Sequence, residues 1–136
     1  MPIATRKELL EILDRANSAD NDRLRNDLID EEVWDYVLSA EVEIRRNVVL
    51  INKHMPAHVL AKFAKDTDSS VRCSIAMKNR IDPEILRVLA SDTDESVRAR
   101  VAYNKNLPTE MLMRLCEDPS ELVRRAATEV VSRRKS

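Results

Sequence analysis

The sequence repeats itself at a step of 26 residues. An aspartate is followed five and six residues later by valine and arginine, and this happens three times: Asp66-Val71-Arg72, Asp92-Val97-Arg98 and Asp118-Val123-Arg124. The step does not slip across the three copies. Self-similarity at such a spacing is typical of stacked supersecondary units and argues against one closed globule.

Each unit carries a helical pattern of apolar residues. The first helix of a unit has them at i, i+1, i+4 and i+5, in the sets Val59-Leu60-Phe63-Ala64, Ile85-Leu86-Leu89-Ala90 and Met111-Leu112-Leu115-Cys116. This spacing predicts one buried stripe per helix. Pro56, Pro83 and Pro108 precede the stripes and mark helix starts, because the first turn of a helix does not need the missing N–H.

A short link leads to the second helix of each unit. Asp68, Asp94 and Ser120 stand in phase at the expected N-cap. Two helices joined this tightly pack as an antiparallel hairpin. The second helices are followed by Asn52, Asn79 and Asn104, which we expect to end them in the left-handed conformation, since the chain has no glycine.

The first part of the chain is less regular. Thr5-Arg6-Lys7-Glu8 has the form of a capping box and predicts a helix over about 5–16. Asp20 is expected to cap a short second helix that carries Leu24, Leu28 and Ile29. A degenerate copy of the repeat begins at Ile29. We therefore predict one domain over 1–136, with an N-terminal helical cap over 1–28 and repeat units over 29–136.

The recurring acid and base of the units predict a ladder of ion pairs. Guanidinium and carboxylate groups make paired, charge-assisted hydrogen bonds, so such a series would fix the rise from one unit to the next. In this ladder we expect Asp92 to be the partner of Arg98. The interpretation is structural and not catalytic for the whole set: Asp66, Arg72, Asp92, Arg98, Asp118 and Arg124.

Composition excludes several classes of protein. Of 136 residues, 43% are hydrophobic and 35% charged, which is too apolar for a disordered tail and too charged for a membrane protein. No apolar run approaches the roughly 18 residues that span a bilayer, and the first ten residues lack the apolar core of a signal peptide, so a cytoplasmic location is expected.

No residue pattern indicates catalysis. The absence of glycine excludes a glycine-rich phosphate loop and a dinucleotide fingerprint. Cys73 and Cys116 match no metal or redox motif, and Pro56 separates His54 from His58 near a helix start. We expect a protein that is not an enzyme and has no catalytic residue, metal site or cofactor.

The repeat resembles a known family. The pattern V-R-x-x-[IV]-A-x-x-N followed by P-x-x-[IM]-L-x-x-L-[AC]-x-D-x-x-x-x-V-R, best seen over 71–124, resembles the leucine-rich repeat variant family and, more broadly, HEAT-like repeats. The resemblance covers 44–134. It implies an all-α fold, a right-handed α-solenoid of stacked helical hairpins. Some members carry an N-terminal cysteine cluster with an iron–sulfur centre, but no cysteine precedes Cys73, so this cofactor is not expected.

Two functions remain open after these exclusions. The first is a protein-interaction module that binds a partner, possibly an acidic one, on the concave face of the short solenoid. A regulator, an immunity protein and an assembly adaptor would all fit it. Arg100 and Tyr103 vary between units and are therefore not dictated by packing, and basic turn residues extend the same patch. The candidate contact residues are Lys53, Lys78, Arg80, Arg100, Tyr103 and Lys105.

The second function is nucleic-acid binding through the basic part of the chain. Residues 1–43 have a net charge of −7 and residues 44–136 one of +6. Against this function, the isoelectric point is near 6.2, and no aromatic residues are interleaved with the bases for stacking. The interaction module is therefore favoured.

Overall fold

The protein is α-helical. The computed structural model describes residues 1–15 and 17–135, and over these ranges it contains ten α-helices and no β-strand. The predicted all-α class is confirmed. The end expected for the first helix, Ala16, lies outside the described residues.

The chain forms two compact units, Met1–Lys62 and Phe63–Ser136. The helices of the first part are α1 (Arg6–Arg15), α2 (Ser18–Asn26), α3 (Glu31–Ser39), α4 (Val42–Ile51) and α5 (Ala57–Phe63). Those of the second unit are α6 (Ser69–Ala76), α7 (Pro83–Leu89), α8 (Glu95–Tyr103), α9 (Thr109–Leu115) and α10 (Glu121–Arg134). The predicted division into a cap over 1–28 and repeats over 29–136 stays a prediction.

The first unit is held by a short backbone bridge in addition to helix packing. Ile3 pairs with the segment before α3, donating its N–H to the carbonyl of Leu28 at 2.7 Å and accepting from the N–H of Asp30 at 3.0 Å. Ile3 is fully buried. The bridge ties the N-terminus to the start of α3.

The second helix of the first unit differs from its prediction. Its N-cap is Asn17, whose side chain accepts from the N–H of Asp20 at 2.8 Å, so Asp20 lies inside the first turn. Leu28 is 61% exposed because the helix has already ended at Asn26. Asparagine is as good an N-cap as aspartate, so Asn17 can take the role predicted for Asp20.

The second unit has a row of three helices with two more packed against it. Helix α8 lies between α6 and α10, and α7 and α9 contact this row. Val71, Val97 and Val123, which share one position of the repeat, are all fully buried. Small and β-branched residues at these positions let the helices of the row approach closely.

The turns before the row helices follow the predicted caps with one exception. Asp68 accepts from the N–H of Val71 at 3.1 Å, and Asp94 accepts from that of Ser96 at 2.7 Å. Ser120 occupies the N-cap position of α10, but its hydroxyl donates to Glu95 at 2.7 Å. No helix of the described residues is long and apolar enough to cross a membrane.

Candidate functional site

The second unit contains two arginine–aspartate rungs. The guanidinium of Arg72 donates to both carboxylate oxygens of Asp92, with Nε–Oδ2 at 2.8 Å and Nη2–Oδ1 at 3.1 Å. The third guanidinium nitrogen, Nη1, donates to the backbone carbonyl of Asp66 at 2.7 Å. The side chains of Arg72 and Asp92 are only 14% and 8% exposed. One arginine therefore joins its own turn to the next.

The second rung repeats this arrangement and corrects the predicted partners. Arg98 donates to both carboxylate oxygens of Asp118, at 2.9 and 3.1 Å, and to the backbone carbonyl of Asp92 at 2.7 Å. The expectation that the Asp92 carboxylate serves Arg98 is wrong. Arg98 extends to the carboxylate of the following turn, because both oxygens of the Asp92 carboxylate are already occupied by Arg72.

The same carboxylates also hold their turns. Oδ1 of Asp92 accepts from the N–H of Asp94 at 2.9 Å, and Oδ1 of Asp118 accepts from that of Ser120 at 2.8 Å. Burial opposes ionisation of Asp118, but hydrogen bonds from Arg98 and Ser120 outweigh it, and the pKa of Asp118 is lowered. The rungs explain why both residue types recur at a fixed spacing.

The last arginine of the series has no rung of this kind. The acceptors of Arg124 within the described chain are two backbone carbonyls, those of Asp118 and Pro119, both at 2.9 Å. Its own-turn contact is thus the same as that of Arg72 and Arg98. The predicted ladder set therefore divides into two joined rungs and a terminal arginine.

Two asparagines join neighbouring turns through their side-chain amides, and we call such a residue a bracket. Nδ2 of Asn104 donates to the carbonyls of Ala76 and Lys78 at 2.7 and 2.9 Å, and Oδ1 accepts from the N–H of Asn106 at 2.9 Å. Its backbone lies at φ −75° and ψ 122°, in the extended region. The left-handed ending predicted for this asparagine is wrong, because a buried amide here satisfies carbonyls of the preceding turn.

Asn52 does the same in the first unit. Its Nδ2 donates to the carbonyls of Leu24 and Asp27 at 2.8 and 3.1 Å, and its Oδ1 accepts from the N–H of His54 at 2.9 Å. Its backbone is also extended, with φ −69° and ψ 131°. Asn79 lies three residues beyond Ala76, the last residue of α6, and is exposed, so it is not the bracket of its unit.

An arginine takes this role at the end of the second unit. Nη1 of Arg134 donates to the carbonyl of Leu107 at 3.0 Å, and Nη2 contacts that of Asn104 at 3.4 Å. The side chain of Asn104 donates to the carbonyl of Lys78. One repeat step later, at Asn104 itself, the equivalent carbonyl is contacted by Arg134. Arg134 therefore closes the last turn as Asn104 closes the one before.

A cleft opens where α6 and α8 end. It has a volume of about 270 Å³. The cleft is lined by Ala76, Met77, Asn79, Arg100, Tyr103, Asn104 and Lys105. Three of the residues predicted to contact a partner, Arg100, Tyr103 and Lys105, thus lie around one concavity.

The two cations of this cleft differ from the ladder arginines. Over residues 17–135, neither Arg100 nor Lys105 makes an ion pair, and both are exposed. Tyr103 is fixed, since its hydroxyl donates to Oε2 of Glu129 at 2.8 Å. This hydrogen bond raises the pKa of Tyr103, so the phenol stays neutral near pH 7.

The other predicted contact residues lie elsewhere. Lys53 belongs to the first unit, where it is exposed and its N–H donates to the carbonyl of Arg25 at 2.9 Å. Lys78 is partly buried, and this burial lowers its pKa to about 8. Arg80 is exposed in the turn after α6. None of these three lines the cleft.

Two residues of the cleft escaped sequence reasoning. Met77 is not among the predicted contact residues and Asn79 is predicted only as a helix end, yet both line the cleft together with Tyr103 and Lys105. The repeat step itself carries the signal, because Met77 precedes Tyr103, and Asn79 precedes Lys105, by one step of 26.

The histidines and cysteines do not form a cluster. His58 contacts Glu31 at 2.6 Å between Nε2 and Oε1, on the exposed surface. Cys73 and Cys116 are free thiols, and burial raises the pKa of Cys73. In the part of the chain that the structure describes, no group of three or more His, Cys, Asp or Glu side chains is placed to hold a metal ion.

One family model matches a segment of this chain. The family model "Leucine rich repeat variant" matches residues 96–120. The match runs from the first turn of α8, through α9, to the N-cap of α10. It confirms the resemblance predicted from the repeat pattern over this segment. Neither the search of curated proteins nor that of solved structures found a match.

Proposed function

We propose that this protein is a non-enzymatic interaction module that binds a protein partner on the row formed by α6, α8 and α10. In this proposal the helical hairpins continue as a right-handed α-solenoid with a repeat of 26 residues, and the row helices form its concave face. Repeat arrays of this kind generally use such an extended surface for binding. The match to a helical repeat family supports the proposal.

The observation that carries the proposal is the cleft at the ends of α6 and α8. The cleft is lined by Arg100, Tyr103 and Lys105. By contrast, Arg72 and Arg98 are engaged in ion pairs within the fold. A cation that the fold does not use for its own packing remains available to a partner. Exposed basic groups of this kind favour fast association with an acidic surface at low salt.

A cytoplasmic location is part of the same proposal. It is supported by Cys73 and Cys116, which are both free thiols. Unpaired cysteines are typical of a reducing compartment, where disulfides seldom persist.

The experiment compares a double variant of the cleft and a single control variant for binding to the native partner. The partner is first isolated by crosslinking in the source cells and then produced in purified form. Changing Arg100 and Tyr103 together to alanine should weaken its binding at least tenfold, by loss of a charge-assisted contact and an aromatic one. Changing Arg87 to alanine, on α7, serves as the control and should leave binding unaltered. Equal effects of the two changes would contradict a site on the row helices.

Nucleic-acid binding is the alternative, and the same variants test it. Arg100 and Lys105 are free cations that could contact phosphates. If the protein binds arbitrary duplex DNA, if that binding falls steeply with salt and if the double variant abolishes it, the alternative replaces the interaction module.

A further inference from the structure

The size of the cleft limits what can enter it. Its volume of about 270 Å³ lies below the roughly 300–1,000 Å³ of sites that enclose small molecules. A space of this size suits one amino-acid side chain with the backbone beside it. The cleft is therefore suited to anchor one residue of a larger partner.

The polar groups of the cleft select a carboxylate. Arg100 and Lys105 line it without an ion pair among residues 17–135. A guanidinium binds a carboxylate through two parallel hydrogen bonds. The pair Arg72–Asp92 shows this geometry within the same unit. Arg100 offers the same five donors, and Lys105 adds a second positive charge.

The walls of the cleft favour a side chain with an apolar stem. Met77 is 51% exposed and lies one repeat step before Tyr103, whose ring is held by Glu129. Methionine and tyrosine surfaces pack well against methylene groups. Both carboxylate oxygens of Glu129 are engaged, Oε2 by the Tyr103 hydroxyl and Oε1 by Arg133 at 2.5 Å, so Glu129 serves to hold the tyrosine.

We propose that the cleft binds the side chain of a single glutamate in a linear segment of a partner protein, with an apolar residue beside it. The carboxylate lies between Arg100 and Lys105, and the apolar neighbour contacts Met77 and Tyr103. This proposal rests on the interaction function proposed above and names the chemistry that the partner must supply.

The site occurs once in the row. The positions equivalent to Arg100 are occupied by Ser74 one repeat step before it and by Ala126 one step after it. The position equivalent to Tyr103 one step later is occupied by Glu129. The neighbouring positions therefore lack the guanidinium. The repeat itself supplies the substitutions that test the site, since serine and alanine are already accepted by the fold at these positions.

The first test uses short end-blocked peptides with a fluorescent label and the 136-residue chain. Each peptide contains one glutamate flanked by leucine, valine or phenylalanine, and a matched set carries glutamine in place of the glutamate. Fluorescence anisotropy should show binding of glutamate peptides only. Arg100→Ala and Arg100→Ser should weaken this binding about 10- to 100-fold. Arg114→Ala changes an exposed arginine of α9 and should have no effect.

Several results would overturn the glutamate site. They are the failure of every glutamate peptide to bind, equal binding of glutamine peptides, and equal losses from Arg100→Ala and Arg114→Ala. Competition by short duplex DNA at lower concentration than by a glutamate peptide would also overturn it. Arg100→Lys separates charge from geometry: it keeps the charge but should still weaken binding, because a lysine cannot form the paired contact.

A second test separates this proposal from the interaction function. Once the partner is purified, each glutamate of its contact segment is changed to glutamine. If the Arg100 and Tyr103 double variant loses the partner but no glutamine change does, the interaction surface stands and the glutamate anchor is wrong. If the double variant binds the partner as the native chain does, the interaction function itself fails.

Discussion

Removal of one ladder carboxylate gives the sharpest test of how this fold is held together. In Asp92→Ala the guanidinium of Arg72 loses both oxygens that it contacts, at 2.8 and 3.1 Å, and the N–H of Asp94 loses its acceptor at 2.9 Å. Arg98 is not affected in its side-chain pair, because its carboxylate partner is Asp118. The orphaned cation is therefore Arg72.

The expected loss follows from the burial of this pair. The side chains of Arg72 and Asp92 are 14% and 8% exposed, so water reaches the abandoned guanidinium only in part. Breaking a fully buried pair costs about 3–5 kcal/mol. Arg72 keeps its bond to the carbonyl of Asp66 at 2.7 Å. We therefore expect about 2–4 kcal/mol, which corresponds to roughly 10 °C in the melting temperature of a chain of this size.

The assay is urea denaturation followed by far-ultraviolet circular dichroism, run as a double-mutant cycle with Arg72→Ala. The coupling energy isolates the contribution of the pair. Asp82→Ala is the matched control, since Asp82 is an exposed aspartate that caps α7 through one hydrogen bond at 2.9 Å, and its loss should cost about 1 kcal/mol. A coupling energy near zero, or a loss no larger than that of the control, would refute the role given to the rung.

Three further predictions concern the brackets and the titrating groups. Asn104→Ala should lower the free energy of unfolding by about 2–4 kcal/mol, because it leaves two carbonyls without their buried donor. Asn79→Ala, at an exposed position, should lower it little. Equal losses of the two variants in urea denaturation would contradict the role of Asn104. The pKa of Lys78 is lowered by burial to about 8, so the free energy of unfolding should rise as pH increases from 8 towards the pKa of the unfolded chain, and Lys78→Met should flatten that rise. The pKa of Asp118 is lowered despite burial, so the stability that it contributes is present above about pH 4 and is lost as pH falls through its folded pKa. If the free energy of unfolding of Asp118→Asn falls with acid as steeply as that of the parent chain, this contribution is absent.

The amino-acid sequence determined the local structure of this protein. Helix starts at Pro83 and near Pro108, and caps at Asp68 and Asp94, depend on residues within one turn of the backbone, and the structure has them where the pattern predicts. The valines at one repeat position are buried for the same reason, because a period of 26 returns the same face of each row helix to the core. Local rules and the repeat step were enough for these features.

Part of the candidate site could also be read from the sequence. Arg100 and Tyr103 stood out because the equivalent positions of other units carry unrelated residues. Their meeting with Lys105 in one cleft was consistent with that reading. Lys53 and Lys78 are basic turn residues like Lys105, but neither charge nor position in a turn determines burial or distance from the cleft.

Only the tertiary structure decided which partners the polar side chains take. Arg98 could have paired within its turn or with the next one, and Asn104 could have ended a helix by its backbone or bridged two carbonyls by its amide. Each choice depends on the distance between neighbouring turns, which packing of the buried row sets. A repeat fixes the position of a side chain along the chain, but the reach of an arginine or an amide selects its partner in space.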